Sequence, residues 1–220
     1  NSLGNQTATN TYGVTLRHAY MYWNKWTAGQ TWTNFMDAAS IPEAADFVGP
    51  TDGVVFVRQA QIRYTTGGLS VALENPETTT LTGVRNPVTG AWTNASANSD
   101  RGSLPDLTVR YGWKGDWGTF GVAGLVRQLK VDNQTTGADA DKIAGGLTLG
   151  GKWVMADTDT LHYQLTGGEG ISRYIGLGVT ADTAYDVARD ELATTGVLAG
   201  YVGWRHAFTP KLRTNLIYAR

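Results

Sequence analysis

The sequence predicts an all-β chain folded as a transmembrane antiparallel β-barrel, and three observations predict it. Runs of alternating apolar and polar residues break at short turns and resume at once, in residues 54–73 around Thr66-Gly67-Gly68, 107–129 around residues 113–118, and 144–165 around Asp157-Thr158-Asp159. Each arm is roughly ten residues long, about what a tilted strand needs to cross a bilayer. The connections at the other ends of the arms are much longer, so short turns gather on one side and long loops on the other.

Composition agrees and narrows the function classes. A chain of 220 residues is long enough for one large domain with a substantial core. Charged residues make up 17% of the chain, below the roughly 25% of soluble domains. The net charge of -1 gives no basic excess for nucleic acid. Cys is absent, which excludes disulfides and thiolate metal sites. No run approaches the roughly 18 apolar residues of a membrane helix. The mean hydropathy of -0.25 would pass for soluble, but the polar inward residues of a barrel dilute every segment.

Ten strands follow in order. The first pair, 11–20 and 26–33, turns at Trp23-Asn24-Lys25, and the second, 54–65 and 69–75, at Gly67-Gly68. The third, 106–113 and 117–131, and the fourth, 143–155 and 160–167, are the most regular. The fifth, 196–207 and 212–220, turns at Thr209-Pro210-Lys211, where proline costs no ladder hydrogen bond. Long connections cover 34–53, 76–105, 132–142 and 168–195, with turn chemistry at Asn86-Pro87, Thr89-Gly90 and Thr136-Gly137. The composition of 182–192 suggests a short helix.

Alternation assigns faces. Leu107, Val109 and Tyr111 oppose Thr108 and Arg110; Leu161, Tyr163 and Leu165 oppose His162, Gln164 and Thr166; Leu147, Leu149 and Trp153 oppose Thr148 and Lys152. The apolar sets are expected to face lipid and the polar sets the lumen. Aromatic residues cluster near the short turns (Tyr20, Tyr22, Trp23, Trp26; Trp113, Trp117; Trp204, Phe208), as interfacial girdles do. Two parities conflict. Arg127 opposes Gln128 and Lys130, which implies a bulge or emergence above the membrane; Arg58 and Arg63 oppose each other, so both face the lumen only across a bulge.

One region is more specific than periodicity. Leu16-Arg17-His18-Ala19-Tyr20 and Ala28-Gly29-Gln30-Thr31-Trp32-Thr33-Asn34-Phe35-Met36-Asp37 resemble the DcaP-like porins of Gram-negative outer membranes. So do Ile41-Pro42-Glu43, Asp46-Phe47-Val48-Gly49-Pro50 and Phe56-Val57-Arg58-Gln59-Ala60-Gln61-Ile62-Arg63-Tyr64. The resemblance implies a β-barrel of porin type, located in the outer membrane of a Gram-negative bacterium and in contact with its lipid. It also implies a homotrimer passing small anionic solutes such as dicarboxylates, through a pore narrowed by an inward constriction loop, for which residues 34–53 are the candidate. Residues 1–220 then form one barrel domain, with ten of roughly sixteen strands, an even count as such barrels use. An open sheet edge is costly in lipid, and Arg220 falls inside a strand, so the chain is expected to be an internal fragment.

Candidate pore-lining residues are Arg17, Arg63, Arg110, Arg205, Arg213 and Lys152, since guanidinium and ammonium groups draw in and bind carboxylates. Facing them would be the loop acids Asp37, Glu43 and Asp46, setting a transverse field or anchoring the loop. No catalytic site, metal site or cofactor is expected. His18, His162 and His206 are scattered over three strands without a supporting motif, and Asp132, Asp139 and Asp141 lack the spacing of a calcium loop. Gly145-Gly146 and Gly150-Gly151 are not followed by a helix, and read as close packing against a neighbouring subunit or a bend in the wall rather than a nucleotide loop. Two other classes compete with a diffusion porin: a soluble β-sandwich binding carbohydrate through surface Trp, and an outer-membrane hydrolase or adhesin without a pore.

Overall fold

The computed structural model describes residues 16–46, 48–85, 92–99, 102–133, 138–178, 180–186, 189 and 191–220. Fourteen strands run in chain order: β1 (Ala19–Trp23), β2 (Trp26–Trp32), β3 (Arg58–Thr66), β4 (Leu69–Glu74), β5 (Thr78–Arg85), β6 (Trp92–Ser99) and β7 (Asp106–Gly115). They continue as β8 (Gly118–Asn133), β9 (Ala138–Ala156), β10 (Asp159–Glu169), β11 (Thr183–Asp186), β12 (Glu191–Thr194), β13 (Gly196–Thr209) and β14 (Leu212–Ala219). Among the described residues there are two single 3₁₀ turns, Ala38–Ser40 and Ser172–Tyr174.

Ten strands form one antiparallel sheet in the order β1-β2-β3-β4-β7-β8-β9-β10-β13-β14. These are the ten strands that alternation marks, and each short turn joins neighbours as expected. The first strand is displaced from the expected 11–20 to Ala19–Trp23: residues 16–18 are not in strand, and 11–15 lie outside the described residues, as do the Asn86-Pro87, Thr89-Gly90 and Thr136-Gly137 turns. A second sheet, β12-β11-β5-β6, is built wholly from the long connections 76–105 and 168–195. Its strand β11 pairs parallel with β5 through Thr183 and Thr80. Among the described residues of this stretch, 183–186 and 191–192 lie in strands and not in the helix that the composition of 182–192 suggests, because pairing of β11 with β5 and β12 outweighs weak helix propensity.

Alternation holds along the large sheet. Leu107, Val109 and Tyr111 are exposed on one face while Asp106 and Thr108 are fully buried on the other. Exposed apolar residues such as Leu147 at 66%, Leu198 at 79% and Leu216 at 70% form a continuous outward face that suits hydrocarbon and not water. Outward aromatics line its short-turn end in contacting groups: Trp26 with Tyr64 at 5.0 Å, Tyr111 with Trp113 at 4.5 Å, and Trp113 stacked on Phe120 at 5.5 Å. Tyr20 and Tyr22 depart from the expected girdle. They pair with Gly29 and Thr27, and Thr27 pairs with Arg63, so both tyrosines share the inner face.

The parity conflicts resolve without bulges. Strand β8 pairs with β7 and β9 in unbroken register. Its outward face runs Phe120, Val122, Gly124, Val126 and then Gln128 and Lys130, so the strand leaves the apolar band at Gln128. Strand β3 is equally regular. Arg63 lies inward, and Arg58 outward over the Trp32 ring at 3.8 Å, donating from Nε to His18 Nε2 at 3.0 Å.

Candidate functional site

Two long connections fold back over the inner face. The first begins where β2 ends. Thr33 Oγ1 and the Asn34 backbone N–H donate to the buried Glu74 carboxylate at 2.7 and 2.8 Å, and Thr108 Oγ1 donates to it at 3.0 Å. The Asn34 amide reaches Ser70 O at 3.2 Å. Phe35 is fully buried, with its ring 5.8 Å from that of Tyr174. Asp37 caps the 3₁₀ turn by accepting from Ala39 N–H at 3.1 Å, and its carboxylate meets Arg110 Nη2 at 2.7 Å. The buried Ser40 Oγ lies 2.7 Å from the Tyr201 hydroxyl, which donates to Gln164 at 3.1 Å. Glu43 takes both Nε and Nη2 of Arg213, the former at 2.6 Å. The segment thus crosses the wall from β4 and β7 to β10, β13 and β14.

Wall glycines leave the room this crossing needs. A Cβ at Gly203 would lie 2.7 Å from Pro42 Cβ, and one at Gly121 2.9 Å from Asp37 Oδ2. Gly146 does the same for the second connection, where a Cβ would meet Ile171 Cδ1 at 2.7 Å, whereas one at Gly150 would meet the neighbouring strand at Tyr163 O, 2.8 Å away.

The second inward connection, 170–195, is held by an ionic cluster. Arg127, fully buried, places Nε 3.2 Å from Asp106 and Nη1 3.2 Å from Asp182. The same guanidinium donates to Gly170 O at 3.0 Å and to Glu77 O. The Tyr174 hydroxyl donates to Asp106 at 2.7 Å and accepts from Gln59 at 3.1 Å. Burial holds that phenol well above the ordinary tyrosine range, so it remains a donor. Asp182 also accepts from Thr79 N–H and Arg173 N–H, at 3.1 and 2.9 Å. Sequence reasoning missed this cluster. Its one visible sign was Arg127, a lone cation in step with inward Leu125 and Leu129.

Five of the six candidate cations stand on the inner face: Arg63, Arg110, Lys152, Arg205 and Arg213. Arg110 and Arg213 are paired to the crossing segment by Asp37 and Glu43. Arg63 binds Gln61 Oε1 and Trp32 O, both at 2.9 Å. Among the described residues, Lys152, Arg205 and Arg63 make no ion pair. Arg17 is not brought to this group. It is exposed ahead of β1, close enough to the outward Arg58 to repel it. Asp46 caps its own turn by accepting from Val48 N–H at 2.9 Å and does not reach the wall. Of the histidines, His162 faces inward beside Lys152, and His206 binds Asp159 at 2.9 Å on the outward side. Among the described residues no group of ligand side chains has the makings of a metal site.

A sheet with an apolar outer face, a charged inner face and connections folded across it belongs to a β-barrel protein of the Gram-negative outer membrane. The family comparison agrees: residues 2–217 match the model of the DcaP outer membrane protein, and the chain belongs to that family. The outer membrane channel DcaP of Acinetobacter baumannii superposes with a TM-score of 0.75 at 28% identity, over 98% of this chain and 58% of that one. OmpT, an outer membrane protein of Vibrio cholerae folded in vitro, gives a TM-score of 0.43 at 14% identity over 88% and 64% of the two chains, and nothing further rests on it. No curated protein matches. The chain thus spans 58% of the length of the solved DcaP channel. Family and solved neighbour are outer membrane proteins, the neighbour a channel, and the soluble sandwich finds no support.

Proposed function

We propose that this porin passes small hydrophilic solutes with a preference for anions, dicarboxylates among them, and that residues 34–53 act as its constriction loop. The observation that carries this reading is the inner face itself. Five cations stand on it, and the two acids of the crossing segment that reach the wall, Asp37 and Glu43, are both taken up in ion pairs. Arg63, Lys152 and Arg205 make no ion pair among the described residues and leave positive charge on the wall. In a confined pore such groups raise the local anion concentration. The ion pairs favour an anchoring role for Asp37 and Glu43 over a direct role in selectivity. The solved DcaP channel supports a conducting pore, and the resemblance supports a homotrimer, which cross-linking in detergent would test.

The test is planar-bilayer conductance of the natural full-length protein, with reversal potential in a KCl gradient and then added succinate. Stepwise conductance with anion preference, reduced by succinate, is the expected outcome. A cation preference would overturn the charge reading, and no conductance from folded protein would favour an adhesin or hydrolase.

A further inference from the structure

The inner-wall cations divide into two kinds, and only one is free to hold a solute. Arg110 and Arg213 are spent on the crossing segment. Lys152 and Arg205 are not, and the polar groups around them are short of partners as well. His162 is the cross-strand partner of Lys152, while Thr160 and Asn215 are the cross-strand partners of Arg205. His162 and Thr160, two residues apart on β10, point the same way, which brings all five side chains together on four adjacent strands. Four of them hold a solvent-shielded polar atom with no hydrogen-bond partner in the protein: Thr160 Oγ1, His162 Nδ1, Arg205 Nε and Asn215 Oδ1. Such atoms are uncommon, and four in one patch call for a common cause.

The crossing segment forms the edge of this patch. Pro42 packs over Gly203, the cross-strand partner of His162. The nearest acid on the segment is Glu43, and Arg213 occupies its carboxylate. The Lys152 ammonium, the Arg205 guanidinium, the Thr160 hydroxyl and the His162 imidazole supply donors that fit the oxygens of a carboxylate or phosphate group, and the Asn215 carbonyl oxygen accepts from a protonated oxygen of the solute or from a water it carries.

We infer that Lys152, Arg205, His162, Thr160 and Asn215 form a discrete binding station for one small oxyanion, at which solutes pause beside the 34–53 segment, and that Arg110 and Arg213 are anchors with no part in it. The inference rests on the reading of the inner face as a water-filled pore wall. It adds saturable binding at named residues to a general positive field.

The test is isothermal titration of the detergent-extracted full-length protein with inorganic phosphate, and separately with succinate. Saturable binding of either probe is expected. The double variant K152Q/R205Q should weaken it by about tenfold or more, as expected for lost charge-assisted hydrogen bonds. The charge-neutral variant T160V/N215L should also weaken it, which a diffuse field would not. The charge-matched variant R58Q/K211Q, which removes two cations away from the inner wall, should retain the wild-type affinity. Absence of saturable binding of both probes would overturn the station, as would equal loss in the two charge-removing variants with T160V/N215L unchanged. Circular dichroism and heat-modifiable gel mobility establish that each variant is folded. Bilayer recordings keep the two readings apart: anion-selective conductance without saturable binding sinks the station alone, and saturable binding without conductance sinks the porin reading alone.

Discussion

Glu43 shows how one carboxylate can couple pore geometry to pH. Its hydrogen bond to Arg213, with the charges of Arg213 and Arg205 behind it, holds its carboxyl below the ordinary value of 4.5. A carboxylate with a depressed folded pKa contributes its contact fully above the ordinary value and loses it as pH falls through the lower folded one. The pair is about half exposed, at 44% and 48%, so it tunes the position of the segment and not the fold. Acidification from about pH 5 to about pH 3, across the ordinary glutamate range, should free Arg213, increase current noise and strengthen anion preference. Glu43→Gln should show that behaviour already at neutral pH and be flat across the same window. Parallel titrations of wild type and variant in single-channel recordings check this, and identical curves would exclude Glu43 as the coupled group.

At the scale of elements, the second inward connection hangs on Arg127. One fully buried guanidinium joins Asp106 at the start of β7, Asp182 before β11 and the carbonyls of Gly170 and Glu77. Arg127→Leu leaves two buried carboxylates uncompensated, a loss of about 3–5 kcal/mol for a broken buried pair. The expected results are a lower transition in heat-modifiable gel mobility and new protease cleavage within 170–195. Adding Asp106→Asn and Asp182→Asn should restore part of both, since the stranded charge and not the missing pair dominates the loss. A single variant that melts and resists cleavage like the wild type would show that the apolar contacts of Ile171 and Tyr174 suffice. Legibility in the sequence follows the same division. The ten strands of the large sheet could be read because one face meets an apolar medium and the other a polar one, which writes period two into the residues. Strand β5 leaves no such trace. Its buried Thr78 and Thr80 are satisfied by Lys130 N–H at 3.0 Å and Thr183 Oγ1 at 3.2 Å, so both faces read as polar. The inward course of 34–53 was readable only through family likeness, and the one trace of the 170–195 latch was the parity of Arg127.

For the whole molecule, the question is whether selectivity follows the count of wall cations or their unpaired remainder. Removing any one arginine lowers the local charge by one, whether or not it was paired, so single substitutions cannot decide it. A charge-conserving pair can. Replacing Arg110 by Gln and Asp37 by Asn together deletes a 2.7 Å ion pair without altering the net charge of the pore. If the paired residues only anchor, D37N/R110Q should keep the wild-type reversal potential in a KCl gradient. Its unitary conductance should change, because the 34–53 segment loses one of its wall contacts. K152Q/R205Q removes two charges that make no ion pair and leaves both ion pairs of the segment in place, so it should do the reverse: reversal potential shifts toward that of an unselective pore while the segment stays seated. The Ser40–Tyr201–Gln164 hydrogen bonds and the Thr33 and Asn34 contacts to Glu74 remain in both variants, so both keep most of the crossing in place. A large loss of anion preference in D37N/R110Q would mean that Arg110 meets the solute despite its partner, and the transverse field between loop acid and wall cation would then be part of the filter.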